Sequence, residues 1–143
     1  MRALLDVNVL IALLDPDHTH HRQATAWLAA HRTQGWASCP ITQNGCIRIM
    51  SQPAYPNSAA PAIIAALLRS AMTPSTHAFW PDDLSIVADG VLDWRHVLGS
   101  RQMTDAYLLA LAVHHRGRFV TLDRGVALAA VAGATPRSLV LLD

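Results

Sequence analysis

The feature that most constrains this chain is an alternation of short apolar runs with segments of helical period. "RALLD" at 2–6 has the length and character of a buried strand, and "VNVLIALLD" at 7–15 starts a helix with no loop between them. The unit returns later. "TDAYLLALAVHHRG" at 104–117 reads as a helix with Thr104 as N-cap, Asp105 in its first turn and Gly117 as C-cap, and it feeds the strand "RFVTLD" at 118–123. Alternation of this kind predicts an α/β fold around a mostly parallel sheet, because parallel strands need long crossovers.

The remaining segments fit that plan. "DPDH" at 15–18 is a turn, and "HHRQATAWLAAHR" at 20–32 is an amphipathic helix. "GWASCP" at 35–40 is a second strand closed by Pro40, followed by a helix over 41–52 with Thr42 as N-cap. A Pro-rich loop at 53–61 leads to a helix at 62–72, then to a short strand and turn in "THAFWPDD" at 76–83. The stretch 84–103 predicts one or two short helices and a loop at "LGSRQ". "GVALAAVAG" at 125–133 predicts a short helix and "SLVLLD" at 138–143 a last strand. No repeat, linker or low-complexity segment interrupts residues 1–143, which are expected to form a single domain.

Composition removes several function classes. The net charge is +1, so nucleic-acid binding must rest on a local patch. All eleven cations are Arg and all ten acids are Asp, which excludes chemistry that requires a lysine. Cys39 and Cys46 have neither disulfide-framework nor common zinc spacing, and they read as core residues of a reducing, cytoplasmic setting. No secretory signal is visible and no apolar run is long enough to cross a bilayer.

The chemistry lies at strand ends. Asp6 and Asp123 each close an apolar strand, and in α/β folds sites form beyond the carboxyl ends of the strands. Asp105 reaches the same edge if its helix leads back into the strand at 118–122. Each acid has a plain structural reading, as a turn or first-turn residue. Together, three carboxylates on one edge repel one another unless a hard cation offsets them. Mg²⁺ or Mn²⁺ prefers such oxygens, and a carboxylate-held ion suits phosphodiester hydrolysis. His18, His20 and His21 lie in a turn entering a helix and read as solvated or capping residues. His114 and His115 sit at a helix C-terminus, where they favour the dipole. The four Trp read as core or interface residues, since they do not alternate with basic residues.

"LLDVNVLIALLD", "ITQNGCIRIM", "RQMTDAYLLALA" and "RFVTLDRG" together resemble a PIN-domain ribonuclease, with particular likeness to the VapC toxins of bacterial toxin–antitoxin pairs. The resemblance covers almost the whole chain in order and spacing. It implies a three-layer α/β/α sandwich whose acidic pocket binds Mg²⁺ or Mn²⁺ and cuts RNA endonucleolytically, leaving 5′-phosphate and 3′-hydroxyl ends. It places Asp6, Asp105 and Asp123 at the metal, with Asn8 orienting Asp6 and Thr104 preceding an acid. It also implies a homodimer and a VapB-type antitoxin with a helical segment in an apolar groove, for which helices 20–32 and 62–72 are candidate walls. The chain departs from the family pattern where relatives carry "TE": here Gln43 follows Thr42 and brings no charge. Arg48, Arg101 and Arg124 are candidates for guiding the RNA backbone, with a salt bridge as the alternative role for Arg124.

Two other readings compete. A receiver domain needs a late lysine, and an aspartate-nucleophile phosphohydrolase usually has a second Asp where this chain has Asn8. A non-catalytic PIN-like binding protein, or a nuclease acting on DNA, remains the alternative within the fold.

Overall fold

The computed structural model describes all residues, 1–143. Its centre is a sheet of five parallel strands in the order β3-β2-β1-β4-β5. They are β1 (Ala3–Leu5), β2 (Trp36–Ser38), β3 (His77–Phe79), β4 (Arg118–Thr121) and β5 (Leu139–Leu141). Five helices connect them: α1 (Val7–Leu14), α2 (His21–Ala30), α3 (Pro40–Met50), α4 (Pro61–Met72) and α5 (Met103–His114). The architecture is the expected α/β/α sandwich.

Strand alternation divides the core into two layers. Ala3, Leu5 and Val120 turn to one face and pack with Val9 and Leu10 of α1, Cys46 and Met50 of α3, and Ile64 and Leu68 of α4. Leu4 and Phe119 turn to the other face and pack with Leu108, Leu109 and Leu111 of α5 and with Trp80. β1 is buried along its whole length, which is why its sequence is a continuous apolar run and not an alternating one. Every residue of α5 from Ala106 to Ala112 is buried, so that helix lacks a polar face to mark its period. Both cysteines are buried and free, as core residues should be.

Several expected boundaries move, each for a local reason. α5 starts at Met103 after a 3-10 turn over Ser100–Gln102, so Thr104 lies inside the first turn instead of capping it. Its C-terminus closes at His115. The Gly117 N–H donates to the Ala112 carbonyl at 2.8 Å and the Arg116 N–H to Val113 at 3.0 Å, a Schellman pair. The left-handed residue in that pair is Arg116, at φ 58°, and not Gly117. Gly117 answers to a steric demand instead: a Cβ there would lie 2.5 Å from the Arg2 carbonyl oxygen and 2.6 Å from the Trp80 ring.

The helix expected over 125–133 shrinks to a 3-10 turn at Leu128–Ala130. Backbone pairing with 91–93 overrides its helical propensity: the Asp93 N–H donates to Ala130 at 2.9 Å and the Ala132 N–H to Val91 at 3.2 Å. The stretch 84–103, expected to hold one or two short helices and a loop at "LGSRQ", holds 3-10 turns at Trp94–His96 and Ser100–Gln102, the second within that expected loop.

Candidate acidic active site

β1 and β4 are adjacent central strands, paired Leu5 with Val120. One residue further, the Asp6 N–H donates to the Val120 carbonyl at 2.9 Å, which places Asp6 beside Thr121 at the carboxyl end of the sheet. Asp6 is only 6% exposed. Its Oδ1 accepts from the Val7 N–H at 2.7 Å, so it caps α1, and its Oδ2 accepts from the Thr121 hydroxyl at 2.6 Å.

Thr121 organises the neighbouring acid as well. Its Oγ1 accepts the Asp123 N–H at 3.0 Å, and the Asn8 side-chain amide donates to it at 3.5 Å. The Asn8 carbonyl accepts the Leu122 N–H at 3.3 Å. Asn8 therefore ties the start of α1 to the end of β4. The Gly125 N–H donates to Asp123 Oδ1 at 2.7 Å, closing the turn after the strand. Asp105, in the first turn of α5, completes the group.

The electrostatics of the three acids are unbalanced. Asp105 is pushed up to about 7, first by burial, then by the charges of Asp6 and Asp123 and by a carboxyl hydrogen bond to Asp123. Asp6 also titrates above the usual carboxylate range. Burial is the main cause and the Asp123 charge adds to it, against the Thr121 and Val7 hydrogen bonds. None of the five ion pairs in the structure involves any of these acids. Three mutually interacting carboxylates with no arginine or histidine paired to them suit a divalent cation with oxygen ligands, because positive charge is what the protein does not supply there.

The PIN domain family model matches residues 3–133. The chain is a PIN-domain protein. It is 52% identical over 142 residues to Ribonuclease VapC44 of Mycobacterium tuberculosis, a match spanning 99% of this chain and 100% of that relative. Among solved structures, VapBC2 of Rickettsia felis bound to a DNA fragment from its promoter superposes with a TM-score of 0.61 at 11% identity, covering 100% of both chains. The Mycobacterium tuberculosis VapC20 toxin, which cleaves the sarcin–ricin loop, superposes with a TM-score of 0.53 at 14% identity, covering 81% of this chain and 85% of that one.

Of the other residues singled out in this PIN domain, Thr42 and Gln43 serve the scaffold, and Thr104 and Arg124 adjoin Asp105 and Asp123 in the chain. Thr42 is buried and sits three residues into α3, where its Oγ1 accepts the Cys39 N–H at 3.0 Å, so Cys39 occupies the N-cap. Gln43 donates to the Ser38 hydroxyl at 3.0 Å and points toward Met72 of α4. It is engaged with β2 and α4. Where α3 meets α1 it carries Gly45, at which a Cβ would lie 2.7 Å from Val7 Cγ2. α3 thus packs closely on α1 because it has no side chain there. Thr104, Arg48 and Arg101 are exposed. Arg124 pairs with Asp143 at 3.0 Å, both side chains being largely in solvent.

Thr121 was not singled out from the sequence, although it links two of the acids. Its signal is the strand period: in "TLD" it stands two residues before Asp123, the spacing of one strand face, although β4 itself ends at Thr121.

Proposed function

We propose that this PIN domain, spanning residues 1–143, is a divalent-metal-dependent endoribonuclease and the toxin of a toxin–antitoxin pair. The observation that carries the proposal is the mutual charge interaction of Asp6, Asp105 and Asp123 with no arginine or histidine paired to any of them. Full-length identity to a VapC ribonuclease supports the same reading. The three carboxylates would hold Mg²⁺ or Mn²⁺, which take oxygen ligands in preference to nitrogen or sulfur. Such an ion, when bound, supplies positive charge against the charge developing on an attacked phosphodiester and lowers the pKa of a water.

The chain's own residues prepare that site. Thr121 and the Val7 N–H fix both oxygens of Asp6 in place, and the Gly125 N–H orients Asp123. Asn8 keeps the two strand ends in register. Asp105 holds a proton near neutral pH and releases it from its carboxyl when positive charge enters, so cation binding should release protons. Arg48 and Arg101 are free to meet an RNA backbone, and Arg124 can leave a solvent-exposed pair for a phosphate at little cost. Thr104 stands exposed beside Asp105 and would face the substrate. Thr42 and Gln43 support the site indirectly by holding α3 against β2.

A groove of about 450 Å³ between α2 and α4 is lined by Leu13, Leu28, Ala29, Trp36 and Ala71 among others. It would receive an apolar helical segment of a VapB-type antitoxin, with the toxin itself a homodimer. No helix is long and apolar enough to cross a membrane, and cytoplasmic RNA is the proposed substrate.

The test is RNA cleavage by purified, partner-free protein with Mg²⁺ or Mn²⁺ and with EDTA, alongside Asp6→Asn. The expected result is metal-dependent cleavage that the variant loses by about a hundredfold or more, the scale of removing one electrostatic contact to a transition state. Equal cleavage by Asp6→Asn would remove the acids from the chemistry. Metal-independent cleavage would remove the cation.

A further inference from the structure

A second cluster of ligating side chains stands away from the acids. Asp83 follows β3, His114 is the last residue of α5 and His115 its C-cap. Their ligand atoms all lie within 4.8 Å of one another, a spacing that no other group of three His, Cys or Asp side chains achieves in the structure. His115 Nε2 is 3.0 Å and His114 Nε2 3.6 Å from the same oxygen, Asp83 Oδ1. Asp105 and His114 stand nine positions apart on α5, about 13 Å of axial rise, so the two clusters occupy opposite ends of that helix.

We propose that Asp83, His114 and His115 form a binding site for a divalent transition-metal ion, with Zn²⁺ the best fit.

The donor set comes first. Two imidazoles and one carboxylate suit Zn²⁺, Co²⁺ or Ni²⁺ and discriminate against Mg²⁺, which the acidic centre would select. Spacing agrees with this. Bonds of about 2.0–2.1 Å in tetrahedral geometry put ligand atoms about 3.3–3.4 Å apart, and the two observed separations, 3.0 and 3.6 Å, bracket that figure.

The rings are also held in advance. Trp80 stacks on His115 with centroids 4.5 Å apart and planes 10° from parallel, and the His114 ring meets His115 nearly edge-on at 5.2 Å. Both Nε2 atoms thereby converge on one carboxylate oxygen. Burial is the largest single influence on the Asp83 carboxyl and raises it, but the His115 hydrogen bond and the charges of the two histidines together outweigh it and hold Asp83 below the ordinary range. The carbonyl end of α5 adds negative potential at the same place. Three protein ligands leave a fourth position for water. An ion here would clip the segment after β3 to the end of α5, adding to the apolar packing of Trp80 and Leu84 against the α5 core.

The experiment is calorimetric titration of Zn²⁺ into the full chain with excess Mg²⁺ present to occupy the acids, paired with visible absorption of Co²⁺ as a report of coordination. The expected result is one saturable Zn²⁺ per chain, weakened at least about tenfold by His114→Ala and by Asp83→Asn, with loss of the Co²⁺ band in both. Both positions are exposed, so these variants should fold, and circular dichroism checks that they do. Three results would overturn the proposal: no saturable binding, binding unchanged in both variants, or binding lost in His18→Ala instead. The test does not depend on nuclease activity.

Discussion

Replacing Asp105 with Asn should stabilise the metal-free chain at neutral pH, by an amount that depends on pH in a defined way. Burial and the charges of Asp6 and Asp123 push Asp105 from 3.8 up to about 7. At about 1.36 kcal/mol per pH unit, that shift corresponds to about 4 kcal/mol of penalty on the ionised form. The carboxyl is partly open to solvent, and screening reduces the figure to about 2 kcal/mol. The folded chain binds this proton more tightly than the unfolded chain does. The associated stability is therefore fully present below about pH 4 and is lost as pH rises toward 7. Asn is neutral throughout and avoids the loss. The difference between variant and parent should be near zero at pH 4 and reach about 2 kcal/mol at pH 7.5, or about 4–8 °C in Tm for a chain of this size. Thermal melts in EDTA at pH 4, 5.5 and 7.5 measure it. A Tm difference that stays flat with pH, or a lower Tm for Asp105→Asn at pH 7.5, would refute the electrostatic argument. Added Mg²⁺ should stabilise the parent at pH 7.5 more than the variant, because the variant has lost a ligand.

Other perturbations follow from the same geometry. Thr121→Val keeps the shape of a fully buried side chain but removes the hydroxyl that holds Asp6 and accepts from Asp123. It should cost about 1–3 kcal/mol in denaturant unfolding. It should also move the acid limb of the pH–rate profile to higher pH, since the lost hydrogen bond was lowering the Asp6 pKa. Gln43→Glu should bring no gain in metal affinity or cleavage rate, because position 43 faces Ser38 and Met72; a tenfold gain in Mg²⁺ affinity by calorimetry would contradict that placement. Tyr55→Phe removes the hydroxyl that donates to the buried Asp15 carboxylate at the end of α1. It should lower stability by about 1–3 kcal/mol while leaving cleavage per folded molecule unchanged, as chemical denaturation and a rate assay would show together.

The sheet was legible in the sequence where burial makes a strand continuously apolar and a helix follows at once. "RALLD", "RFVTLD" and the segment that became α5 all carry that signal. What the sequence concealed was settled by contacts between distant residues. Nothing local in "GVALAAVAG" shows that residues 91–93 will take its backbone hydrogen bonds. Nothing in "HHRG" shows that Arg116 will take the left-handed position while Gly117 yields space to Trp80. The departure at Gln43 was visible, but its meaning was not. Only the rotation of α3 shows that its side chain turns to β2, and that Gly45 is the residue packed against the helix Asp6 caps. His114 and His115 do lie at a helix C-terminus, as read, yet Asp83 reaches them only through the turn after β3.

The plain structural readings of the three acids hold in the structure, beside the functional reading proposed above. Asp6 caps α1, Asp105 lies in the first turn of α5, and Asp123 closes a turn on Gly125. Each position favours a carboxylate for local reasons, and each local role could be filled by Asn at small cost. Local roles alone therefore do not explain why all three carry charge. Their placement raises the Asp105 pKa into the neutral range, and the fold supplies no arginine or histidine to relieve it, although it pairs Asp83, Asp93 and Asp143 elsewhere. Helix and turn formation leave that unrelieved charge unexplained, and the cation proposed for this site would explain it. Asp6→Asn is accordingly the informative substitution: its remaining oxygen can still cap α1 through the Val7 N–H, while the charge and the acceptor for the Thr121 hydroxyl are removed.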